Sequence, residues 1–420
     1  MLIYKRFLNI ALRALTLVSR FLFIFFLARY LQPSALGEYG LITATVGYAL
    51  YFVGLDFYIF TTRELLKNPV ERWGGFIKNQ AALSFVLYAV LLSLLTGCYL
   101  FGLITLEQAS WFFFILIFEH VNQELSRILV AINNQNLASV LLFLRQGLWA
   151  IIVVILMTAF PATRNLTTVL ILWALSGVLT FSLGVIHIKK IGMGGWGNKI
   201  DIKWIKLGVK TSGIFLLATL SLRGTQTLDR FWIQSMNGMD VVGAYVLFAG
   251  MTSALMAFLD AGVFTYSYPM LIKLSNEGEE KLFRQHLFKM AGATIAFTLF
   301  FVVVSLLVMP YLLTWTGKTL YFHYVVIYKW LLVATVLNAL GMIPHYALYA
   351  RHSDKPIIYS HLSSVLVFIL STWLLSQWNH VIAVPLGLAI SFLFILTWKS
   401  VAYFIVKNKA KDCQKATFKS

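Results

Sequence analysis

Seven basic side chains lie inside long apolar stretches of this sequence, where a charge is costly. They are Arg13, Arg20, Arg127, Arg145, Arg223, Arg230 and Lys329. A basic side chain that faces lipid at mid-depth costs about 2.5–3.5 kcal/mol. Seven such costs together exceed the net stability of about 5–15 kcal/mol of a typical fold. Most of these side chains must therefore face water, pair with acids or extend to an interface.

Two pairs of arginines share one spacing. Arg13 and Arg20 are seven residues apart, and so are Arg223 and Arg230. Seven residues are nearly two helical turns, so each pair lies on one helix face, about 10 Å apart along the axis. Guanidinium groups bind phosphate through paired hydrogen bonds, which predicts a site for an anionic headgroup. The predicted substrate-binding residues are Arg20, Arg223, Arg13, Arg230, Arg145 and Arg127. The alternatives are that Arg13 extends to the interface and that Arg230 pairs with an acid.

A polar stripe lies within an otherwise apolar stretch. Its members at i, i+3, i+4 and i+7 are His120, Gln123, Glu124 and Arg127, with Glu119 and Asn122 beside them. Such a stripe must turn away from lipid, and Glu124 and Arg127 are spaced for an ion pair within the helix. The functional alternative is a relay for a proton or sodium ion. The candidates for that relay are Glu119, His120, Glu124, Asp56 and Asp260.

The elements that must position these residues are membrane-spanning helices. Of 420 residues, 60% are hydrophobic and 12% are charged, against about 25% charged in a soluble domain. About 20 apolar residues span the hydrocarbon as a helix. This predicts an all-α polytopic membrane protein with twelve transmembrane helices. The predicted spans are 8–29, 38–62, 81–103, 110–132, 137–160, 167–188, 207–234, 242–268, 287–310, 323–349, 357–377 and 381–405.

The remaining basic residues fall almost entirely on one side of the predicted membrane. Of the 34 Lys and Arg residues, 24 lie in one set of alternate loops or at the span ends that adjoin them, Lys399 among them, and the other side holds only Arg29, Arg164 and Lys318. The excess of positive charge is typical of cytoplasmic loops, so the net charge of +18 indicates topology and not nucleic-acid binding. Both termini are therefore expected in the cytoplasm. Cys98 and Cys413 offer neither a disulfide framework nor a metal site.

An internal repeat divides the chain. The segment Leu36-Gly37-Glu38-Tyr39 recurs 206 residues later as Val242-Gly243-Ala244-Tyr245. Six spans separate the copies, which predicts two parallel six-helix lobes, 1–190 and 207–406, joined by a cytoplasmic loop, 191–206, and followed by a basic cytoplasmic tail, 407–420. The loop segment 192–197 fits G-x-G-x-x-G, but it lacks the strand–turn–helix context of a nucleotide site and is interpreted as a flexible hinge.

Sequence motifs of enzymes and nucleotide-driven machines are missing. The chain contains no Walker A, H-E-x-x-H or G-x-S-x-G sequence, and no predicted loop has room for a catalytic domain. We therefore expect a transporter with no cofactor and no metal site, and not an enzyme.

The stretch from Leu27-Ala28-Arg29-Tyr30-Leu31 through Gly37-Glu38-Tyr39-Gly40 resembles the end of the first helix and the start of the second in Wzx-type O-antigen flippases. These polysaccharide-biosynthesis proteins belong to the multidrug/oligosaccharidyl-lipid/polysaccharide (MOP) exporter superfamily. The resemblance implies two six-helix lobes around a central cavity, which opens alternately to either side of a bacterial inner membrane. It also implies a cationic lumen, which the arginines of the first and seventh helices match.

The cargo that this resemblance implies is an undecaprenyl-pyrophosphate-linked oligosaccharide, flipped from the cytoplasmic to the periplasmic leaflet in lipopolysaccharide biosynthesis. An O-antigen polymerase, a chain-length regulator and membrane lipids are the expected partners. Relatives that flip the peptidoglycan precursor carry an arginine in the second helix, whereas this chain has none between Glu38 and Thr62. That departure puts the peptidoglycan substrate in doubt.

Two other functions compete. A cation-coupled exporter of drugs or small molecules would need an acidic cavity, whereas the predicted interior holds seven basic and five acidic residues. A membrane-embedded O-antigen polymerase would need a sizeable outer loop for sugar chemistry, whereas the predicted outer loops are short. The flippase is therefore favoured over both.

Overall fold

The computed structural model describes the backbone of residues 2–417 and the side chains of residues 8–213, 216–217, 219–221 and 223–407. Lys5, Arg6 and most of the basic tail, with Cys413, lie outside the described side chains. The first helices are α1 Leu2–Tyr30, α2 Pro33–Gly54, α3 Tyr58–Lys67, α4 Val70–Leu100, α5 Leu106–Ala131, α6 Gln135–Phe143, α7 Trp149–Ala159 and α8 Leu166–Lys190. The rest are α9 Ile202–Asn237, α10 Met239–Leu259, α11 Thr265–Asn276, α12 Glu280–Thr316, α13 Thr319–His323, α14 Val325–Ala350, α15 Asp354–Ser376 and α16 His380–Thr417.

The described backbone is helical because lipid leaves each peptide group to be satisfied within its own segment. Two helix pairs are continuous through π-helical turns, Leu144–Leu148 between α6 and α7 and Asp260–Phe264 between α10 and α11. Helix starts are fixed by side chains: Thr105 and Gln108 form a capping box at α5, and Asn165 accepts from the backbone N–H of Thr168 at α8. These caps satisfy amide groups that the first turn leaves open.

Most of these helices have the length and composition of membrane spans. In the described part of the chain, nine helical segments meet both criteria, and α2 with α3, bent by 48°, makes a tenth. The polar stripe of α5 lowers its mean hydropathy, so α5 is not among them. Each predicted span overlaps a helix or a continuous helix pair. The all-α, multi-spanning architecture is confirmed, and the count of twelve crossings stays a prediction.

By its internal packing the chain divides into two units. The first contains residues up to Leu31 and Leu41–Leu220, and the second contains Gln32–Gly40 and residues from Ser221 onward. The helix starts follow the internal repeat, since α2 begins at Pro33 and α10 at Met239, and 239 minus 33 is the offset of 206. The lobe boundaries 1–190 and 207–406 stay a prediction.

The repeated glycines of the second unit allow close backbone approach. A Cβ at Gly243 would overlap the carbonyl oxygen of Pro33, and one at Gly37 would overlap that of Met239. The starts of α2 and α10 therefore touch backbone to backbone, which any larger residue at either glycine would prevent.

The glycine-rich segment after α8 is bound to α4. The N–H of Gly74 donates to the carbonyl oxygen of Gly194 at 2.8 Å, and Lys78 Nζ donates to the carbonyl oxygens of Trp196 and Asn198 at 3.0 and 2.9 Å. A Cβ at Gly74 would lie 2.6 Å from the same Gly194 oxygen. The segment interpreted as a flexible hinge is thus a docked loop within the first unit, because α4 offers it both donors and a glycine surface.

Apolar residues separate into an inner and an outer set. Within the second unit, Leu255, Leu259 and Phe264 form a buried core. Large side chains on α12 remain exposed instead, among them Leu299 and Phe300 at 61% and 65%. Exposed apolar surface of this extent matches a helix whose outer face meets lipid.

Candidate functional site

The two arginines of α1 lie along α6 in the first unit. Arg13 Nε donates to Ser139 Oγ at 3.2 Å, and Arg20 Nη1 donates to Gln146 Oε1 at 3.0 Å. Both partners are 126 residues further along the chain, so α1 and the α6 segment run in the same direction. The helical face predicted from the seven-residue spacing is therefore present, and both arginines contact the same neighbouring segment.

The π-helical turn places the partner of Arg20. Gln146 belongs to the turn Leu144–Leu148, which widens the helix by one residue and changes the direction of its side chains. At Gly147, an added Cβ would lie 2.7 Å from the Phe143 ring and 3.4 Å from the Cα of Thr16, so the glycine permits α1 to approach. The Arg20 side chain is exposed and within the described residues forms no ion pair.

Arg145, from the same turn, points to a different group. Its Nε lies 3.7 Å from Glu119 Oε2, with both side chains about nine-tenths buried, and its Nη1 donates to the backbone oxygen of Glu119 at 3.2 Å. Trp173 Nε1 donates to Glu119 Oε1 at 2.8 Å. The Trp173 ring stacks on Trp149, with centroids 5.6 Å apart. This is a buried ion pair enclosed by indoles, which fixes α5 to α8 and to the turn.

Glu124 is the centre of a second polar cluster on α5. Arg127 Nη1 donates to Glu124 Oε1 at 2.5 Å, which is the ion pair that the spacing predicts. Gln80 Nε2 of α4 donates to Glu124 Oε2 at 2.6 Å. His120 Nε2 lies 3.9 Å from Oε1, and His120 Nδ1 is hydrogen-bonded to the hydroxyl of Tyr88 at 2.7 Å. A carboxylate, an imidazole, an amide and a phenol thus meet in one buried place.

The break between α2 and α3 completes this cluster. Leu55 and Asp56 both have left-handed backbone angles, with φ of 49° and 50°, which is unusual for residues other than glycine. Asp56 is 9% exposed and lies within electrostatic reach of Arg127. The Arg127 guanidinium stacks on the Tyr58 ring, 3.5 Å from its centroid. Strained backbone of this kind concentrates at functional sites.

The arginines of α9 have other partners, in the second unit. Arg223 is exposed, and its Nη1 donates to Gln226 Oε1 at 3.3 Å. Arg230 Nη1 donates to the backbone oxygen of Gly40 at 3.1 Å. The neighbouring carboxylate of Asp229 is buried and accepts from the Tyr245 hydroxyl and from the Arg230 N–H.

The relay candidates do not all meet. Asp56, His120 and Glu124 lie together around Arg127, whereas Glu119 has a separate set of partners, Trp173 and Arg145. Asp260 belongs to the second unit and is exposed. In the described part of the chain no group of three His, Cys, Asp or Glu side chains is arranged to hold a metal ion.

Sequence reasoning missed the partners on other helices. Gln80, Tyr88, Gln146 and Trp173 each complete a cluster, yet helical spacing relates only residues of one helix. Gln80 and Gln146 carried a usable signal, because an amide inside an apolar span must find a polar partner.

Similarity to solved structures covers nearly the whole chain. A multidrug resistance MATE family transporter of the MOP superfamily, inward-facing, matches with a TM-score of 0.74 at 13% identity over 93% of this chain and 95% of the other. The lipid II flippase MurJ, in an inward closed conformation, matches with a TM-score of 0.69 at 14% identity over 96% and 87%. A MOP superfamily transporter from Pyrococcus furiosus matches with a TM-score of 0.54 at 14% identity over 96% and 95%.

The fold is that of MOP superfamily transporters. No protein-family model and no curated protein matches the sequence. The chain is a multi-pass membrane protein, and its helices carry the exposed arginines and the two buried clusters described above. The fold is shared by drug exporters and by a flippase of a lipid-linked precursor, so the cargo must be argued from the side chains.

Proposed function

We propose that this chain is a flippase that moves an undecaprenyl-pyrophosphate-linked oligosaccharide, such as an O-antigen repeat unit, from the cytoplasmic to the periplasmic leaflet by alternating access. In this proposal twelve helices cross a bacterial inner membrane, two six-helix lobes enclose a central cavity, and both termini are cytoplasmic. The cargo is handed on to an O-antigen polymerase and a chain-length regulator.

The observation that carries the proposal is that the α1 arginines have neutral hydrogen-bond partners. Arg13 and Arg20 bond to a hydroxyl and to an amide oxygen, and within the described residues neither forms an ion pair. A carboxylate partner would cancel the charge, as Glu124 does for Arg127. A guanidinium held by a neutral group keeps its charge and most of its five donors for an arriving anion.

The positive charge of the arginines favours an anionic cargo. A pyrophosphate group offers oxygens that accept paired guanidinium hydrogen bonds, whereas a cationic drug would be repelled. We propose that Arg20 and Arg223 hold the pyrophosphate, that Arg13, Arg230, Arg145 and Arg127 make the surroundings cationic, and that the lipid tail remains in the bilayer. Pocket polarity has been linked to a different function in one similar protein, whose structure is described as having a binding pocket of reversed polarity.

The absence of an arginine from the second helix narrows the choice of cargo further. The lipid II flippase has a similar fold, but this chain has no arginine between Glu38 and Thr62. We therefore propose a lipid-linked oligosaccharide of a surface polysaccharide as the cargo, in place of the peptidoglycan precursor.

Ion coupling is proposed at the buried carboxylates. The cluster of Asp56, His120 and Glu124 combines titratable groups with a strained break between α2 and α3, which gives a place where ion binding and a helix movement would be linked. The other candidates are Glu119, which is also buried, and Asp260, which is exposed. The coupling ion is a proton or sodium.

A drug or small-molecule exporter coupled to a cation is the second candidate function. It is favoured by the similarity to a multidrug transporter and by the buried carboxylates. It predicts that removing Arg20 and Arg223 leaves export intact or improves it, because a cationic cargo gains from the loss of positive charge.

The test is the variant Arg20→Ala with Arg223→Ala, expressed in cells that lack their own copy of the gene. We expect surface polysaccharide to be lost and undecaprenyl-linked repeat units to accumulate on the inner leaflet, with the protein retained in the membrane. The matched control is Arg63→Ala with Arg72→Ala, which removes two charges from the segment between predicted spans and should leave export unchanged. Normal surface polysaccharide in the first variant would contradict the proposal, and efflux of a cationic dye by both variants would favour the exporter.

A further inference from the structure

A nitrogen cluster unrelated to the arginines lies in the second unit. Lys399 of α16 is 2% exposed, and its Nζ lies 3.1 Å from His345 Nδ1 of α14 and 2.9 Å from His361 Nε2 of α15. The two imidazole rings are nearly parallel, with centroids 6.1 Å apart. Three helices thus bring one amine and two imidazoles into hydrogen-bonding distance, and we name these three residues the nitrogen triad.

The geometry fixes the protonation pattern. A lysine ammonium has donors and no acceptor, so both imidazoles must present a lone pair to Lys399. The ring proton is then on Nε2 of His345 and on Nδ1 of His361. A second positive charge on either ring would lie about 3 Å from the ammonium and would be repelled. The triad therefore holds one positive charge, on the Lys399 ammonium, which donates to both rings.

Groups around the triad do not neutralise this charge. Within the described residues no carboxylate forms an ion pair with Lys399. Tyr346 faces His345 edge-on, with centroids 5.4 Å apart, and stacks on Tyr268 of α11. On α12, Glu280 is already paired with Arg351 at 2.8 Å. The charge in this buried place is therefore one that can leave as a proton.

We propose that the nitrogen triad is a proton-binding site, which takes up and releases one proton. In release, an N–H bond of the Lys399 ammonium breaks and its proton passes to Nε2 of His361. The Nδ1–H proton of His361 then leaves to water, so that a neutral amine and two neutral imidazoles remain. Uptake is the reverse. The two rings are partly exposed and Lys399 is not, so the rings are the path by which protons reach the amine.

The site does not suit sodium. Hard cations prefer oxygen ligands such as carboxylates, carbonyls and water, and the triad offers a cation and two nitrogens. As a coupling site, which rests on the proposed transport function, it would therefore couple transport to protons. Pro344 precedes His345 and removes one backbone donor from α14. A change of charge at the triad therefore takes place next to the point at which Pro344 weakens α14.

Proton binding is tested without cargo, by nitrogen NMR of the full chain labelled at histidine in lipid nanodiscs. At about pH 6, with the triad protonated, we expect His361 as the Nδ1–H tautomer and His345 as the Nε2–H tautomer. As the pH rises and the proton is released, we expect His361 to change to the Nε2–H tautomer, with both rings neutral between about pH 6 and 8, the range in which free imidazole changes charge. In Lys399→Met we expect the tautomer preference of His361 to be lost and one ring to gain a proton on acidification. Lys329→Met, which changes an exposed lysine of α14, is the matched control and should leave both rings unchanged.

Two results would overturn the proton site: His361 already in the Nε2–H form at about pH 6 in the unaltered chain, or no change of ring protonation in Lys399→Met. The transport role is tested by flipping in proteoliposomes with and without a pH gradient. We expect the ratio of these rates to fall to one in His361→Gln while basal flipping persists. An unchanged ratio would contradict coupling at the triad. Absence of flipping by the unaltered chain would contradict the proposed function, and the NMR result would still decide proton binding.

Discussion

Glu119 and Arg145 form a buried ion pair. Removing one of the two charges is expected to destabilise the first unit more than removing both together. Arg145 Nε and Glu119 Oε2 are 3.7 Å apart, and the side chains are 7% and 10% exposed. At an effective dielectric constant of about 20, two unit charges at that separation attract by about 4 kcal/mol. Breaking a buried pair from one side costs about 3–5 kcal/mol, because the remaining charge stays out of water.

Arg145→Met and Glu119→Gln are therefore each expected to lower the free energy of unfolding by about 3–5 kcal/mol. In the double variant neither charge is left buried, and the glutamine that replaces Glu119 would still accept the hydrogen bond of Trp173. The loss of stability in the double variant is expected to be smaller than that of either single variant.

The assay is thermal unfolding of the purified chain in detergent, followed by tryptophan fluorescence, for both single variants and the double variant. The matched control is Lys67→Met, which breaks the exposed pair with Glu64, where the lysine is 70% exposed. Exposed pairs contribute about 0–1 kcal/mol, so the control should shift the unfolding midpoint little. A double variant that loses the sum of the two single losses would refute a direct interaction between the charges.

Two further predictions concern backbone contact and topology. Gly243→Ala is expected to destabilise the second unit by about 1–3 kcal/mol, because its Cβ would meet the Pro33 oxygen. The control is Gly47→Ala, whose Cβ would meet nothing within 4 Å and which should be neutral or stabilising. Equal shifts of the thermal unfolding midpoint in the two variants would contradict the close packing at Gly243. Lys318 lies between α12 and α13, where burial lowers its pKa to about 8, so about half of its amine is neutral at pH 8. A membrane-impermeant acylating reagent should modify Lys318 from outside intact cells faster at pH 8 than at pH 7, and should leave Lys281 unmodified; modification of Lys281 alone would reverse the topology.

The helices could be predicted from the sequence because lipid requires long apolar segments, and the amino-acid sequence records them directly. The ion pair of Glu124 and Arg127 could also be predicted, since both residues lie on one helix. Two features of backbone geometry could not. The left-handed pair Leu55 and Asp56 contains no glycine, although Gly54 precedes it, and the turn Leu144–Leu148 contains Gly147 but no proline, so a single glycine beside or within an apolar stretch did not mark either feature.

The partners of the charged residues were harder to predict than the residues themselves. The sequence places Lys399 with the basic residues of the cytoplasmic side, because it lies near the end of the predicted span 381–405. In the structure it is buried between His345 and His361, since three helices supply one nitrogen each. Contacts between helices of distant sequence position leave no periodic signal, so local reasoning found the charges but not the clusters.

The central claim is that Arg20 keeps its charge for an anionic lipid headgroup. The direct measurement is the affinity of the full chain in lipid nanodiscs for undecaprenyl pyrophosphate, with undecaprenol as the uncharged comparison. Hydrogen bonds to charged groups contribute about 1.5–3 kcal/mol, so Arg20→Met is expected to weaken binding of the pyrophosphate lipid by about 10- to 150-fold, with Arg63→Met unchanged. Equal affinity for undecaprenol and the pyrophosphate lipid, or unaltered binding in Arg20→Met, would contradict the account.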